Sequence, residues 1–152
     1  MLDTTSIHIL VADDDPDDCM LIREAFRVSR LASKLGFVEN GEELLAYLRG
    51  TAPFADRQRF PLPGLILLDL NMPRKDGREA LVEIKADPQL RDIPVVVLTT
   101  SADEEDIRRS YAQGVNSYIT KPVSFSGLLE VVQTLGHYWL DIVELPAEHR
   151  SL

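Results

Sequence analysis

The chain has 152 residues, about one domain's worth, with 45% hydrophobic and 27% charged residues. Its net charge of −9 argues against nucleic acid or an anionic membrane as partner, and its one cysteine, Cys19, excludes an intrachain disulfide and a cysteine metal cage. No apolar run approaches the ~18 residues of a membrane span, and the opening residues lack a basic stretch before an apolar one, so a cytoplasmic location is expected.

Residues 7–12 are short, β-branched and followed by acids, which predicts a first strand. Pro16 suits the first turn of a helix, which the spacing of Leu21, Ala25 and Val28 carries to Ser29. Residues 35–39 form a weaker second strand. Asn40-Gly41-Glu42-Glu43 has the form of a helix start, with Leu44, Leu45 and Leu48 following to Gly50. Residues 51–64, with Pro53, Pro61 and Pro63, read as a long loop. Residues 65–69 are apolar up to Asp69 and do not alternate, as in a strand buried on both faces. A helix over 77–87 stops before Pro88, and residues 94–98 give a fourth buried strand. Ser101-Ala102-Asp103-Glu104 reads as a capping box opening a helix that ends at Gly114. Residues 116–120 are the fifth strand, and a last helix is predicted from Ser124 to about Val143.

Five strands alternating with five helices predict an α/β fold, a parallel sheet covered on both faces. Sites in such sheets lie at the carboxyl ends of the strands. There the sequence places Asp13-Asp14-Asp15 after strand one, Asp69 at the end of strand three, Thr99-Thr100 after strand four and Lys121-Pro122 after strand five. Each has a bland reading alone: helix N-terminal charge for the acids, a strand-end cap for Thr99, a solvated side chain for Lys121. Together they describe carboxylates that repel unless a cation lies among them. With no His or Cys close by in sequence, oxygen-only ligation favours Mg²⁺, Ca²⁺ or Mn²⁺. The site looks built to hold an anionic group against a metal, with a carboxylate as nucleophile.

These residues carry a resemblance. The cluster Asp13-Asp14, the string Leu68-Asp69-Leu70-Asn71-Met72-Pro73 with Asp76-Gly77 after it, and Thr99, Tyr118 and Lys121-Pro122 resemble, in order and spacing, the receiver domain of bacterial two-component response regulators over about residues 6–135. The resemblance implies a flavodoxin-like (βα)5 three-layer sandwich with strand order 2-1-3-4-5. It implies Asp69 as phosphoacceptor, with Mg²⁺ bound by Asp14, Asp69 and the backbone carbonyl of Asn71, and by Asp13 through a water. Thr99 and Lys121 are expected to contact the phosphoryl oxygens, Thr99 and Tyr118 to act as the switch, and Asn71 and Ser101 to tune phosphoryl lifetime. Lys121-Pro122 is expected to be cis, as is usual in the family, and Thr100 to narrow access to the phosphoryl group. The implied function is a receiver that takes a phosphoryl group from a sensor histidine kinase and signals through protein contacts. On this reading it is no enzyme beyond promoting its own phosphorylation and dephosphorylation.

One domain spanning 1–152 is expected, with a helix extension and tail at about 136–152 too short for an output domain. The long loop, the lone receiver and the tail resemble the small regulators of bacterial and cyanobacterial phytochrome kinases. A last helix of about 18–20 residues reaches about 27–30 Å, against about 17 Å for a five-residue strand. Its end, carrying Tyr138, Trp139 and Ile142, is therefore expected to overhang the sheet and to cover itself in a homodimer, on the face of the fourth helix, fifth strand and fifth helix. The alternative is a tail folded against residues 51–64. The competing function is a phosphotransferase or phosphatase of haloacid-dehalogenase type, which also uses a strand-end Asp with Mg²⁺. It wants a second Asp where Asn71 stands.

Overall fold

The structure, a computed structural model, describes residues 7–31 and 35–137. The apolar runs pair as five parallel strands: β1 (Ile9–Ala12), β2 (Leu35–Val38), β3 (Leu65–Leu68), β4 (Val95–Thr99) and β5 (Ser117–Thr120), in the order β2-β1-β3-β4-β5. The helices between and after them are α1 (Pro16–Val28), α2 (Gly41–Arg49), α3 (Gly77–Ala86), α4 (Glu104–Ala112) and α5 (Phe125–Gly136). The predicted α/β architecture and strand order hold.

Successive strand side chains point to opposite faces, and the core divides accordingly. Leu10, Ala12, Ile66, Leu68, Val95 and Val97 face α2 and α3, while Ile9, Val11, Leu65, Leu67, Val96 and Leu98 face α1 and α5. β1 starts at Ile9, two residues later than predicted, because its partners begin at Leu35 and Leu65; the His8 carbonyl instead accepts the Gly64 N–H. In α1 the expected stripe is corrected. Ile22, Ala25 and Phe26 are buried, whereas Leu21 and Val28 are exposed, because the packed face follows the i, i+3, i+4 set one position along. α4 contributes least to the core: its one buried residue is Ser110.

The loop over 51–64 is not open chain. Tyr47, Phe54 and Phe60 pack ring against ring, with centroids 5.1–5.8 Å apart, and Arg57 donates to the carbonyls of Tyr47, Leu48 and Phe60. The Tyr47 hydroxyl lies 3.0 Å from the Pro61 carbonyl and 2.9 Å from His8 Nε2. Its single proton goes to the carbonyl, which can only accept, so His8 donates through Nε2–H. Tyr47→Phe leaves that donor and acceptor facing a methine. The expected cost is about 1–3 kcal/mol, read as a lower urea midpoint with faster amide exchange across residues 51–64. An unchanged midpoint would mean that the rings alone hold the loop.

Residues beyond His137 lie outside the described ones, and the expectation of an overhanging helix end with Tyr138, Trp139 and Ile142 falls on them. No described helix is long and apolar enough to cross a membrane.

Candidate functional site

The parallel strands deliver the expected side chains to one edge. Asp13 follows β1, where its N–H donates to the Val38 carbonyl, and Asp69 follows β3, where its N–H donates to Ala12; both residues are buried. Asp14 is exposed. Among the described residues, Asp13, Asp14 and Asp69 bring one carboxylate oxygen each within 4.8 Å of one another.

Lys121, just past β5, extends its ammonium into this group. Nζ stands 2.7 Å from Asp13 Oδ2, 2.7 Å from Asp18 Oδ2 and 2.9 Å from Asp69 Oδ2. Burial works against the ammonium's charge, but the hydrogen bonds it donates to the three carboxylates win and raise its pKa above the ordinary lysine value. Burial likewise raises the Asp13 carboxyl, against the bonds from Lys121 and the Asp15 N–H. Asp18 was not among the expected residues. It sits in the first turn of α1, behind Asp15, whose side chain caps the helix by accepting the N–H groups of Asp17 and Asp18.

Asp69 is held at both oxygens. Oδ1 accepts the Thr99 hydroxyl at 2.7 Å and the Asn71 N–H at 3.0 Å, and Oδ2 accepts Lys121. Thr99 is fully buried at the end of β4, and Asn71 is exposed. The Lys121–Pro122 expectation is corrected: among the described residues the cis bond is Ala52–Pro53, and Lys121–Pro122 is trans, the form an X–Pro bond favours by about 0.5–1 kcal/mol. The lysine reaches the acids from the trans backbone.

Ser101 does not cap α4. Asp103 is the N-cap, accepting the Glu105 N–H at 2.8 Å, while the Ser101 hydroxyl donates to Asp106 Oδ2 at 2.7 Å. The Tyr118 hydroxyl donates to the Ser101 carbonyl at 2.8 Å, and burial raises its pKa. Asp106 also receives Arg78, whose guanidinium holds that carboxyl down at about 2. Thr100 is exposed at the mouth.

The turn from β3 into α3 needs Gly77. A Cβ there would lie 2.2 Å from the Asp69 carbonyl oxygen and 2.7 Å from Leu70 Cα. Gly77→Ala must therefore push the Asp69 backbone aside. We expect a loss of about 1–3 kcal/mol on urea unfolding, together with weaker divalent-cation binding by titration. A variant as stable as the parent would show that this turn yields freely.

Chemically, the carboxylates of Asp13, Asp14, Asp18 and Asp69 are an oxygen-donor set whose negative charge exceeds the single positive charge of Lys121. That suits a hard divalent cation together with an incoming anion.

Comparison with known proteins bears on the family and the fold. Residues 9–133 match the response regulator receiver domain family. The chain is 42% identical over 139 residues to the response regulator Rcp1 of Synechocystis sp., covering 91% of this chain and 92% of the relative. The structure is similar to that of the phosphorylated cyanobacterial phytochrome response regulator RcpA, with a TM-score of 0.85, 45% identity and coverage of 92% and 98% of the two chains. It is also similar to the Mn²⁺-bound form of Rcp1, with a TM-score of 0.83, 41% identity and coverage of 92% and 99%. The haloacid-dehalogenase alternative finds no support in these matches.

Proposed function

We infer the function from one premise: the chain belongs to the response regulator receiver domain family. We propose that Asp69 accepts a phosphoryl group from the phosphohistidine of a sensor histidine kinase. The observation that carries this is the placement of Asp69: buried at the end of the central strand β3, between the Thr99 hydroxyl and the Lys121 ammonium. A carboxylate oxygen of Asp69 attacks phosphorus. The P–N bond to the donor imidazole breaks, its electron pair stays on the ring nitrogen, and an acyl phosphate forms.

Lys121 neutralises part of the added charge, and Thr99 offers its hydroxyl to a phosphoryl oxygen once it leaves Asp69 Oδ1. Asp13, Asp14 and Asp69, with the backbone carbonyl of Asn71, would hold a divalent cation, Mg²⁺ on this reading, which when bound offsets the phosphoryl charge. The Mn²⁺-bound form of Rcp1 and the oxygen-only donor set support that assignment. A displaced Thr99 vacates space beside β5, and Tyr118 then exchanges its bond to the Ser101 carbonyl for an inward position, which changes the α4–β5–α5 surface. Similarity to RcpA supports a phytochrome kinase as partner.

Incubation with acetyl phosphate and Mg²⁺ tests the reading. The chain should gain one labile phosphoryl group and stop. Many turnovers of donor per chain would make it a phosphatase. The homodimer also belongs to this proposal. An apolar groove lined by Ile119, Val131 and Leu135 lies on the expected face, and sedimentation showing a monomer with and without beryllofluoride would end that part.

A further inference from the structure

Resting on that reading and going beyond it, we propose that Arg78 and Asp106 form a positioning pair that fixes the separation of the two loops flanking Asp69, and so sets how long its phosphoryl group survives. Arg78 lies in the first turn of α3. Its Nε and Nη2 donate to Asp106 Oδ1 and Oδ2, each at 2.6 Å, the two-pronged geometry that only a guanidinium makes with a carboxylate. Its third nitrogen, Nη1, donates back to Asn71 Oδ1 at 3.3 Å and to the Leu70 carbonyl at 3.4 Å. Asp106 in turn accepts the Ser101 hydroxyl, and the Ser101 carbonyl accepts Tyr118. The result is one continuous run of hydrogen bonds from Asn71, two residues after Asp69, to Ser101, two residues after Thr99.

The surroundings give this run its leverage. α4 buries only Ser110, and an open groove lined by Leu81, Val82, Arg109 and Gln113 separates it from α3. Apolar packing therefore does little to place the start of α4 or the loop before it. Arg78 and Asp106 span that gap at the end nearest the acids; the Asp106 side chain is 14% exposed and that of Arg78 38%. An exposed ion pair in this role would have little effect. A half-shielded, bidentate pair joined to both loops restrains their relative motion, and with it the entry of the water that hydrolyses an acyl phosphate.

The competing account is that the pair merely holds α4 in place. The test phosphorylates the parent chain, Arg78→Gln, Asp106→Asn, the double variant and Arg78→Lys with acetyl phosphate and Mg²⁺. It follows loss of the acyl phosphate after donor removal, with urea unfolding and amide exchange of residues 101–106 measured in parallel. Each single neutral variant should speed the loss by about three- to tenfold. The double variant should be no faster than the singles, because both remove the same link. Arg78→Lys, which keeps the charge without the fork, should fall between. Exchange at 101–106 should rise before any phosphoryl is added. Folded variants that lose their phosphoryl within twofold of the parent's rate would overturn the inference, as would single effects that multiply in the double variant. If Asp106→Asn does not fold, Arg78→Gln and Arg78→Lys still decide it. A parent chain that takes no label would overturn the receiver reading, and this inference with it; a labelled parent with unaltered variants overturns the inference alone.

Discussion

Asp69→Asn is expected to abolish uptake of a phosphoryl group. The amide that replaces the carboxylate carries no negative charge and cannot form an acyl phosphate, so the rate should fall by at least about 10³-fold. Asn keeps an oxygen for the Thr99 hydroxyl and the Asn71 N–H; its NH2 group cannot accept from Lys121, whose ammonium retains Asp13 and Asp18. The measurement is base-labile label after exposure to acetyl phosphate and Mg²⁺, with a folded variant confirmed by its urea midpoint. Label at the parent rate would place the nucleophile elsewhere, and Asp13 and Asp14 would be the residues to examine next.

Lys121→Met should give the largest change in stability. The ammonium is 2.7–2.9 Å from three carboxylates, of which Asp13 and Asp69 are almost fully buried. Without it these acids face each other with no countercharge, a loss of about 2–4 kcal/mol in metal-free buffer. Saturating Mg²⁺ should restore part of the loss, because a ligand bound only by the folded chain adds stability by mass action. The variant should therefore gain more from the cation than the parent does. Asp14→Ala should behave in the opposite way. Asp14 is exposed and is not among the carboxylates that hold Lys121, so metal-free stability should stay near the parent's while the Mg²⁺-dependent increment disappears. Urea unfolding in chelator and in Mg²⁺ reads all three proteins. A Lys121→Met protein as stable as the parent in chelator would mean that water already shields the carboxylates.

Much of the fold is legible in the chain because parallel strands buried on both faces must be apolar at every position. Residues 65–68 and 95–98 therefore stand out without any partner in view, and each must be followed by a polar residue where the strand leaves the sheet. That is why Asp13, Asp69, Thr99 and Lys121 could be placed at one edge. What escaped notice depends on contacts between distant segments. Asp18 reads as one more acid at a helix start, and nothing local says that Lys121, 103 residues later, will reach it. Arg78 and Asp106 lie at half-buried positions of two helices and are brought together only by the layering of α3 and α4. Ser101 was misplaced as a cap because its local pattern competes with a tertiary bond to Asp106, and the tertiary bond prevails. The residues of the 51–64 segment gave turn signals but no periodicity, since their order comes from rings gathered around Tyr47.

The acids that follow β1 also shape the traffic reaching the pocket. Asp14, Asp15 and Asp17 are exposed around its mouth, while the nearby cations Arg74 and Lys75 are drawn off to Glu42 and Glu83. A small metabolite carrying an activated phosphate is itself an anion and meets a repulsive field over roughly the 8 Å that physiological salt leaves unscreened. A phosphorylated protein docks through a surface of its own and brings its phosphoryl group in already oriented, so the same field costs it far less. The acids around this edge therefore slow uptake from a small anionic donor without blocking it, most strongly at low salt.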